Sequence, residues 1–123
     1  MITGIGIDII EIDRVARIVE KWTEKFLEKI FTDGEIEYCR SKTNAAQHFA
    51  ARFAAKEAFA KAIATGWSET FHWKEVEVNN EFSGKPTLVL HGKTKERFAD
   101  VVIHLSLSHT HATAAAFVIL EKV

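Results

Sequence analysis

Two carboxylates and one ammonium group are the side chains of this sequence that most clearly suggest chemistry. Asp8 lies in a stretch that alternates glycine with isoleucine, and Glu57 and Lys61 lie four residues apart in an alanine-rich stretch. Two carboxylates brought together repel each other unless a cation neutralises them. Mg²⁺ typically takes one or two carboxylates and completes its octahedral shell with water and phosphate oxygens. If Asp8 and Glu57 meet in the fold, we expect a magnesium site that handles phosphate groups.

The segment that carries Asp8 is predicted to be a buried strand. It runs from Ile2 to Ile10, is rich in β-branched residues and is punctuated by glycine. Alternate residues of a strand share a face, so Gly4, Gly6 and Asp8 point the same way. Glycines inside a strand often mark the close approach of another backbone or a ligand. We therefore expect something to pack tightly beside Asp8.

The segment that carries Glu57 and Lys61 is predicted to be the longest helix, from about Asn44 to Ala64, ending at Gly66. One narrow face holds Glu57, Lys61 and otherwise only methyl side chains. Its alanines are Ala46, Ala50, Ala54 and Ala64. We predict that this face lies against the glycine face of the strand. An alternative stays open: Asp8 could be a turn residue, and Glu57 and Lys61 an intrahelical ion pair worth roughly a few tenths of a kcal/mol.

The remaining elements are short and predict an α+β domain over residues 1–123. Asp13 can cap a helix that runs to about Trp22, and Thr32 and Glu35 have the spacing of a capping box. Four more strands and one short helix follow the long helix. The predicted strands are Trp73 to Val78, Thr87 to Leu90, Val101 to Ser108 and Thr113 to Leu120, and the helix is Lys93 to Ala99.

Composition argues against several classes of protein. The 123 residues carry a formal net charge of −1, which gives no support to nucleic-acid binding. The single cysteine, Cys39, permits no intrachain disulfide. No run is long and apolar enough to span a bilayer, and the first residues lack the layout of a signal peptide. We expect a cytoplasmic protein that has neither nucleic acid nor a membrane as a partner.

Four motifs in order resemble those of the holo-acyl-carrier-protein synthases, a family of 4′-phosphopantetheinyl transferases. The first motif is GIGIDIIEIDR, from Gly4 to Arg14, and the second is RFAAKEAFAKA, from Arg52 to Ala62. Gly84-Lys85-Pro86 and the segment SLSH from Ser106 to His109 are similar to two later motifs. The first two motifs are specific, and the resemblance covers essentially the whole chain.

This resemblance implies a reaction, a fold and an assembly. The enzyme would transfer the 4′-phosphopantetheine arm of coenzyme A to a serine of apo-acyl carrier protein, and would support fatty acid biosynthesis. The other product would be adenosine 3′,5′-bisphosphate. The fold would be an antiparallel sheet packed against a long central helix, in a homotrimer whose active sites lie at subunit interfaces. The carboxylates that hold Mg²⁺ would be Asp8 and Glu57.

Chemistry and resemblance together suggest a role for each site residue. Phosphoryl transfer to a hydroxyl depends mostly on positioning and charge neutralisation. Glu57, or a metal-bound water beside it, would remove the serine proton, and Lys61 would donate to the departing phosphate. Arg52 can present a fork to a phosphate, although it lies on the opposite side of the helix from Lys61, which favours a site shared by two subunits. The other residues expected near coenzyme A are Gly84, Lys85, Pro86, Ser108 and His109.

A basic face on the first helix suggests a docking surface. Arg14, Arg17 and Lys21 fall on one side of it, and acyl carrier proteins are acidic. The resemblance implies that the carrier protein docks there, which would make association fast and sensitive to salt. The alternative is an ordinary solvated face. Two other functions remain open for the chain: a metal-dependent phosphohydrolase, and a non-enzymatic nucleotide-binding or assembly module.

Overall fold

The computed structural model describes residues 1–21, 24–63 and 71–123. Its helices are α1 (Ile12–Lys21), α2 (Glu24–Ile30), α3 (Asp33–Arg40), α4 (Ala45–Ala62) and α5 (Gly92–Arg97). Its strands are β1 (Ile2–Glu11), β2 (Val76–Asn80), β3 (Pro86–Leu90), β4 (Val101–His109) and β5 (Thr113–Lys122). The expected helix ends at Trp22, Ala64 and Gly66 lie outside the described residues.

The strands form an antiparallel sheet and a separate hairpin. β5 lies at the centre of the sheet, between β1 and β4, and β2 pairs with β3. α4 packs against β1 and β5. Alternate residues of β5 point at this helix and are buried, namely Ala114, Ala116, Val118 and Leu120. The structure therefore confirms an α+β fold in which an antiparallel sheet lies on a long helix.

Two glycines allow β1 to lie directly on α4. A Cβ atom built at Gly6 would overlap the carbonyl oxygen of Ala58, and one built at Gly4 would overlap that of Ala62. The close packing expected from the glycine face is therefore confirmed. The point of contact differs from the predicted alanine face, because the backbone at Ala58 and Ala62 faces the strand. Glu57 lies beside that contact in a partly buried position, near Asp8 of the edge strand β1.

Two predicted boundaries are wrong for identifiable reasons. Asp13 is not a cap, because the chain passes directly from β1 into α1 at Ile12, whose N–H donates to the carbonyl oxygen of Ala112 at 2.9 Å. The predicted strand at Trp73 begins later, because Trp73–Glu75 forms a 3₁₀ turn before β2. The carbonyl oxygens of Trp73 and Val76 both point at the ammonium group of Lys56, which favours a turn at that place.

The predicted capping box at Thr32 and Glu35 is confirmed, and it is joined to a buried ion pair that the sequence did not reveal. Lys56 Nζ lies 2.8 Å from Glu35 Oε1, and both side chains are fully buried. The same ammonium group donates to the carbonyl oxygens of Trp73 at 2.9 Å and Val76 at 2.6 Å. These bonds fasten α3, α4 and the start of β2 to one another, and so fix the helix that carries Glu57.

None of the described helices has the length and apolar content needed to cross a membrane.

Candidate active site

Asp8, Glu57 and Lys61 meet at the edge of β1, as the sequence predicted. Lys61 Nζ donates to Asp8 Oδ1 at 3.0 Å and to the carbonyl oxygen of Ile7 at 3.0 Å. The carboxyl group of Asp8 lies close enough to that of Glu57 to raise the pKa of Glu57. The side chain of Asp8 is only 11% exposed, whereas that of Lys61 is 54% exposed. The acidic pair is thus half enclosed, with an ammonium group at its open side.

Burial and Asp8 together perturb the acidity of Glu57. Loss of solvation is the larger cause and the charge and hydrogen bond of Asp8 add to it, which raises the pKa of Glu57 to about 7. The cations of Lys61 and Arg14 act in the opposite direction. Near neutral pH the Glu57 carboxyl group can therefore hold a proton beside Asp8.

This carboxyl pair fits a hard divalent cation. Mg²⁺ prefers oxygen ligands and needs only one or two carboxylates when phosphate and water complete its shell. Asp8 and Glu57 supply those two carboxylates on the strand and on the helix. Within the described ranges no cluster of three or more His, Cys, Asp or Glu side chains is arranged to hold a metal ion.

Arg52 lies on a different side of α4, in a buried position. It is 3% exposed, its Nη2 donates to Asn80 Oδ1 at 2.8 Å, and its guanidinium lies 4.1 Å from the centre of the Tyr38 ring. Its Nε is buried, and no hydrogen-bond partner for it appears among the described residues. Arg52 was predicted to bind a phosphate. The structure buries Arg52 and leaves its Nε–H without an acceptor among the described residues.

Two more basic side chains contact Tyr38 together with Arg52, and a third, His109, lies near His48. The Lys42 Nζ lies 4.8 Å from the centre of the Tyr38 ring, and the His48 ring meets the same ring edge-on at 5.7 Å. Burial lowers the pKa of His48, and the charges of Arg52, Lys42 and His109 lower it further. We call Lys42, His48, Arg52 and His109 the Tyr38 cluster. Sequence analysis missed His48, although it lies one helical turn before Arg52.

Gly84 and Lys85 lie in the tight turn that joins β2 to β3, and Pro86 is the first residue of β3. Gly84 has φ +93°, which favours glycine, and its N–H donates to the carbonyl oxygen of Glu81 at 2.7 Å. The N–H of Glu81 in turn donates to the carbonyl oxygen of Lys85 at 2.8 Å. Asn80 Nδ2 donates to the carbonyl oxygen of Gly84 at 3.0 Å. Since Asn80 also accepts from Arg52, it connects the turn to the Tyr38 cluster.

Ser108 and His109 point to opposite sides of the sheet. His109 pairs with Ala114, whose side chain is buried on the side of α4, and Ser108 pairs with Ala115. The side chain of Ser108 is exposed on the sheet face away from the helix. One chain therefore does not bring these two predicted residues onto the same surface.

The sheet face away from α4, which we call the outer sheet face, is exposed and apolar. Three isoleucines of β1 lie on it, with Ile5 62%, Ile7 63% and Ile9 68% exposed. Phe117 of β5 and Val102 of β4 add exposed apolar surface at 39% and 41%. Contiguous apolar patches of this kind mark interaction sites.

The basic face of α1 is exposed and lies next to a cavity. Arg14, Arg17 and Lys21 are all solvent-exposed, and Arg14 is close enough to Glu57 to lower its pKa. A cavity of about 380 Å³ opens between α1 and α2. Its lining is almost entirely apolar and includes Val15, Val19, Phe26 and Ile30, with Lys29 among the lining residues.

Comparison with known proteins gives one consistent result. The family model for the 4′-phosphopantetheinyl transferase superfamily matches residues 4–117. A holo-[acyl-carrier-protein] synthase of Solibacter usitatus is 48% identical over 126 residues, covering 99% of this chain and 100% of that protein. One from Geobacter sulfurreducens is 47% identical over 125 residues, covering 99% of each.

Solved structures agree with these sequence relatives. A holo-(acyl-carrier-protein) synthase from Bacillus anthracis in complex with CoA (3′,5′-ADP) has a TM-score of 0.85 and 37% identity, covering 100% of this chain and 99% of that one. A Helicobacter pylori holo-[acyl-carrier-protein] synthase in complex with coenzyme A has a TM-score of 0.83 and 30% identity, covering 95% and 99%.

Proposed function

This chain belongs to the 4′-phosphopantetheinyl transferase superfamily, and we propose that its Asp8–Glu57–Lys61 site carries out the reaction of the holo-[acyl-carrier-protein] synthases. The reaction transfers the 4′-phosphopantetheine arm of coenzyme A to a serine of apo-acyl carrier protein, in support of fatty acid biosynthesis. The other product is adenosine 3′,5′-bisphosphate. The observation that carries the proposal is the close approach of Asp8 to Glu57, with Lys61 Nζ 3.0 Å from Asp8 Oδ1.

Asp8 and Glu57 would hold a Mg²⁺ ion in this site. When bound, the ion neutralises charge on the pyrophosphate and acts as a Lewis acid at a phosphoryl oxygen. The two carboxylates reach the site from β1 and α4, whose contact is fixed by Gly4 and Gly6. The pair therefore stays in place without a ligand, which limits the reorganisation needed at the moment of reaction.

Glu57 is suited to accept a proton. In the metal-free chain, burial and the neighbouring Asp8 raise the pKa of Glu57 to about 7, so this carboxyl group can bind a proton near neutral pH. Glu57, or a water that it orients, would remove the proton of the serine hydroxyl as the serine oxygen bonds to phosphorus. Lys61 is half exposed at the open side of the pair, so its Nζ can donate to the phosphate that departs.

The nucleotide end of coenzyme A would bind at the Tyr38 cluster and the Gly84-Lys85-Pro86 turn. Arg52 supplies a cationic donor there, His109 supplies an imidazole ring near His48, and Lys85 adds an exposed cation on the turn. The unused Nε of Arg52 supports this assignment, because a buried donor without a partner costs free energy until a ligand satisfies it. Arg52 and Lys61 face different sides of α4, so a complete site would combine the two regions from neighbouring subunits.

A homotrimer formed through the outer sheet face would bring such regions together. Full burial of an isoleucine side chain contributes about 1.5–3 kcal/mol, and Ile5, Ile7 and Ile9 are each more than 60% exposed in the single chain. The same face carries Ser108, which would then lie at a subunit interface, where coenzyme A is expected.

The acyl carrier protein would dock on the basic face of α1. Arg14, Arg17 and Lys21 complement an acidic partner, and the cavity between α1 and α2 can receive an apolar side chain from it. The position of Arg14 near Glu57 would place the acceptor serine close to the carboxyl pair. We propose that the reaction takes place in the cytoplasm, with the carrier protein and coenzyme A.

Mass spectrometry of the carrier protein tests the function directly. The protein is incubated with coenzyme A, Mg²⁺ and apo-acyl carrier protein, and the intact mass of the carrier is measured. We expect a mass increase equal to the phosphopantetheine arm, abolished in Asp8→Ala. An unchanged carrier would contradict the proposal: coenzyme A cleaved without carrier would indicate a phosphohydrolase, and coenzyme A bound but never consumed would indicate a binding module.

A further inference from the structure

We propose that Phe82, at the tip of the β2–β3 hairpin, is the stacking platform for the purine base of coenzyme A. The inference rests on the proposed function in one respect, since it requires that coenzyme A binds at the Tyr38 cluster. It adds a residue that binds the base to a site otherwise described by its charges.

Phe82 is exposed in a way that the other apolar surface residues are not. Its side chain is fully exposed, the most exposed of the large hydrophobic residues in the part of the chain that the structure describes. The other strongly exposed ones lie at the termini, as Met1 and Val123 do, or on β1 within or beside the outer sheet face. A subunit interface on that face would account for the isoleucines but leaves Phe82 unexplained.

The backbone around Phe82 is held firmly although its ring is free. Two hydrogen bonds close the turn on either side of it, from Glu81 N to Lys85 O at 2.8 Å and from Gly84 N to Glu81 O at 2.7 Å. Ser83 Oγ accepts a longer bond from Lys85 N at 3.4 Å. A ring on a fixed backbone loses freedom in only two side-chain torsions when it binds a ligand, so stacking on it carries a small entropy cost.

The hairpin tip is tied to the cationic groups that would hold the phosphates. Asn80 accepts from Arg52 Nη2 at 2.8 Å and donates to the carbonyl oxygen of Gly84 at 3.0 Å. Lys85, three residues after Phe82, is exposed on the same turn. In adenosine 3′,5′-bisphosphate the base and both phosphates are attached to one ribose. A group that binds phosphate beside this turn therefore brings the base within reach of the turn.

Stacking of a base on an aromatic ring explains why the tip carries a phenylalanine. Aromatic rings bind bases through their faces and tolerate different bases, but a purine offers more stacking area than a pyrimidine. The neighbouring Lys85 gives the tip the second feature of nucleotide surfaces, a cation for the phosphate. These features predict that Phe82 contributes to binding of the base and not to the chemical step.

The test compares ligands with and without a purine on full-length protein. Affinities of wild type, Phe82→Ala and Phe82→Trp are measured by calorimetry for adenosine 3′,5′-bisphosphate, cytidine 3′,5′-bisphosphate and inorganic pyrophosphate. We expect Phe82→Ala to bind the adenosine ligand roughly tenfold more weakly, the cytidine ligand less affected, and pyrophosphate unchanged. Phe82→Trp should restore purine binding, and Ser83→Ala, at the same tip, should match wild type.

Kinetics give a second readout that a merely structural role would not reproduce. Phe82→Ala should raise the KM for coenzyme A with kcat unchanged, because stacking stabilises ground state and transition state alike. Unchanged affinity for the adenosine ligand in Phe82→Ala would overturn the proposal. So would a change confined to the KM for the carrier protein, or loss of the oligomer, since each would assign Phe82 to a protein contact. If wild type binds the adenosine ligand but never modifies the carrier, the proposed function fails while the stacking test still stands.

Discussion

Asp8 lies beside Glu57 where β1 packs on α4, and burial together with this neighbouring carboxyl group raises the pKa of Glu57 to about 7. The two residues approach because Gly4 and Gly6 leave no side chain between the strand and the helix. The pair thus binds a proton in the absence of metal and should exchange it for a divalent cation. Metal affinity, stability and activity then depend on the same ionisation.

Stabilisation by Mg²⁺ should increase with pH. The folded protein holds the Glu57 proton up to about pH 7, whereas the unfolded chain releases it near the ordinary value of 4.5. Without metal, this group's contribution to the free energy of unfolding is fully present below 4.5 and is lost as pH rises through 7. Mg²⁺ competes with that proton, so the stabilisation that Mg²⁺ provides should be larger above the pKa of about 7 than below it.

Thermal unfolding with and without MgCl₂ checks this pH dependence. We expect a larger rise in Tm on adding Mg²⁺ at about pH 8 than at about pH 5.5, and little pH dependence in Glu57→Gln. An equal rise at both pH values in the wild type would show that Glu57 does not exchange a proton for the metal.

Lys61 should matter for turnover more than for substrate affinity. Its Nζ lies 3.0 Å from Asp8 Oδ1 at the open side of the carboxyl pair, where the proposed reaction would develop charge on the departing phosphate. We expect Lys61→Ala to lower kcat about 100-fold, with a smaller change in the KM for coenzyme A. Steady-state kinetics measure both values, and Lys95→Ala, an exposed lysine of α5, serves as the control. A loss confined to KM would assign Lys61 to binding alone.

The buried pair of Lys56 and Glu35 should be the most sensitive point for stability. Lys56→Met leaves the Glu35 carboxylate buried without its cation, which typically costs about 3–5 kcal/mol. Urea unfolding should show this as a lower midpoint with the slope unchanged. Arg40→Met, which removes an exposed pair with Glu24, is the matched control and should shift the midpoint far less. Equal shifts in both variants would contradict a special role for the buried pair.

The sequence was sufficient where local patterns determine the outcome. Alternation of glycine in the first strand and the capping box at Thr32 each predicted a feature that the structure contains. The meeting of Asp8 with Glu57 also followed, since the two small-residue surfaces suggested close packing.

The sequence was insufficient where groups from several elements converge. Lys56 appeared as one more helix lysine, because its acceptors come from α3 and from the 3₁₀ turn, far away in sequence. His48 and Lys42 had no motif support, and only the fold reveals that they surround Tyr38 with Arg52. Such sites depend on how elements pack, which single-sequence periodicity does not encode.

A charge on the outer sheet face should dissociate the proposed trimer. Ile7 is 63% exposed in the single chain and lies in register with Phe117 of β5. Ile7→Glu would place a carboxylate in an apolar interface at a high desolvation cost. We expect light scattering to give the mass of a monomer and activity to fall, whereas Lys95→Glu on α5 leaves both intact. An active trimer of Ile7→Glu would show that the subunits associate through another surface.

Substitutions of Arg14 and Arg17 should have different effects on the pH dependence of activity. Both are exposed on α1, so removal of either charge should raise the KM for the carrier protein at low salt, with the effect diminishing as salt is added. Among the basic residues of this face, only Arg14 lies close enough to Glu57 to lower the pKa of Glu57. Arg14→Ala should therefore move the acidic limb of the kcat/KM profile to higher pH, because Glu57 then holds its proton more strongly, while Arg17→Ala leaves that limb in place. Unchanged affinity for the carrier protein in both variants at low salt would contradict docking on α1. Identical pH profiles of the two variants would contradict an effect of Arg14 on the pKa of Glu57.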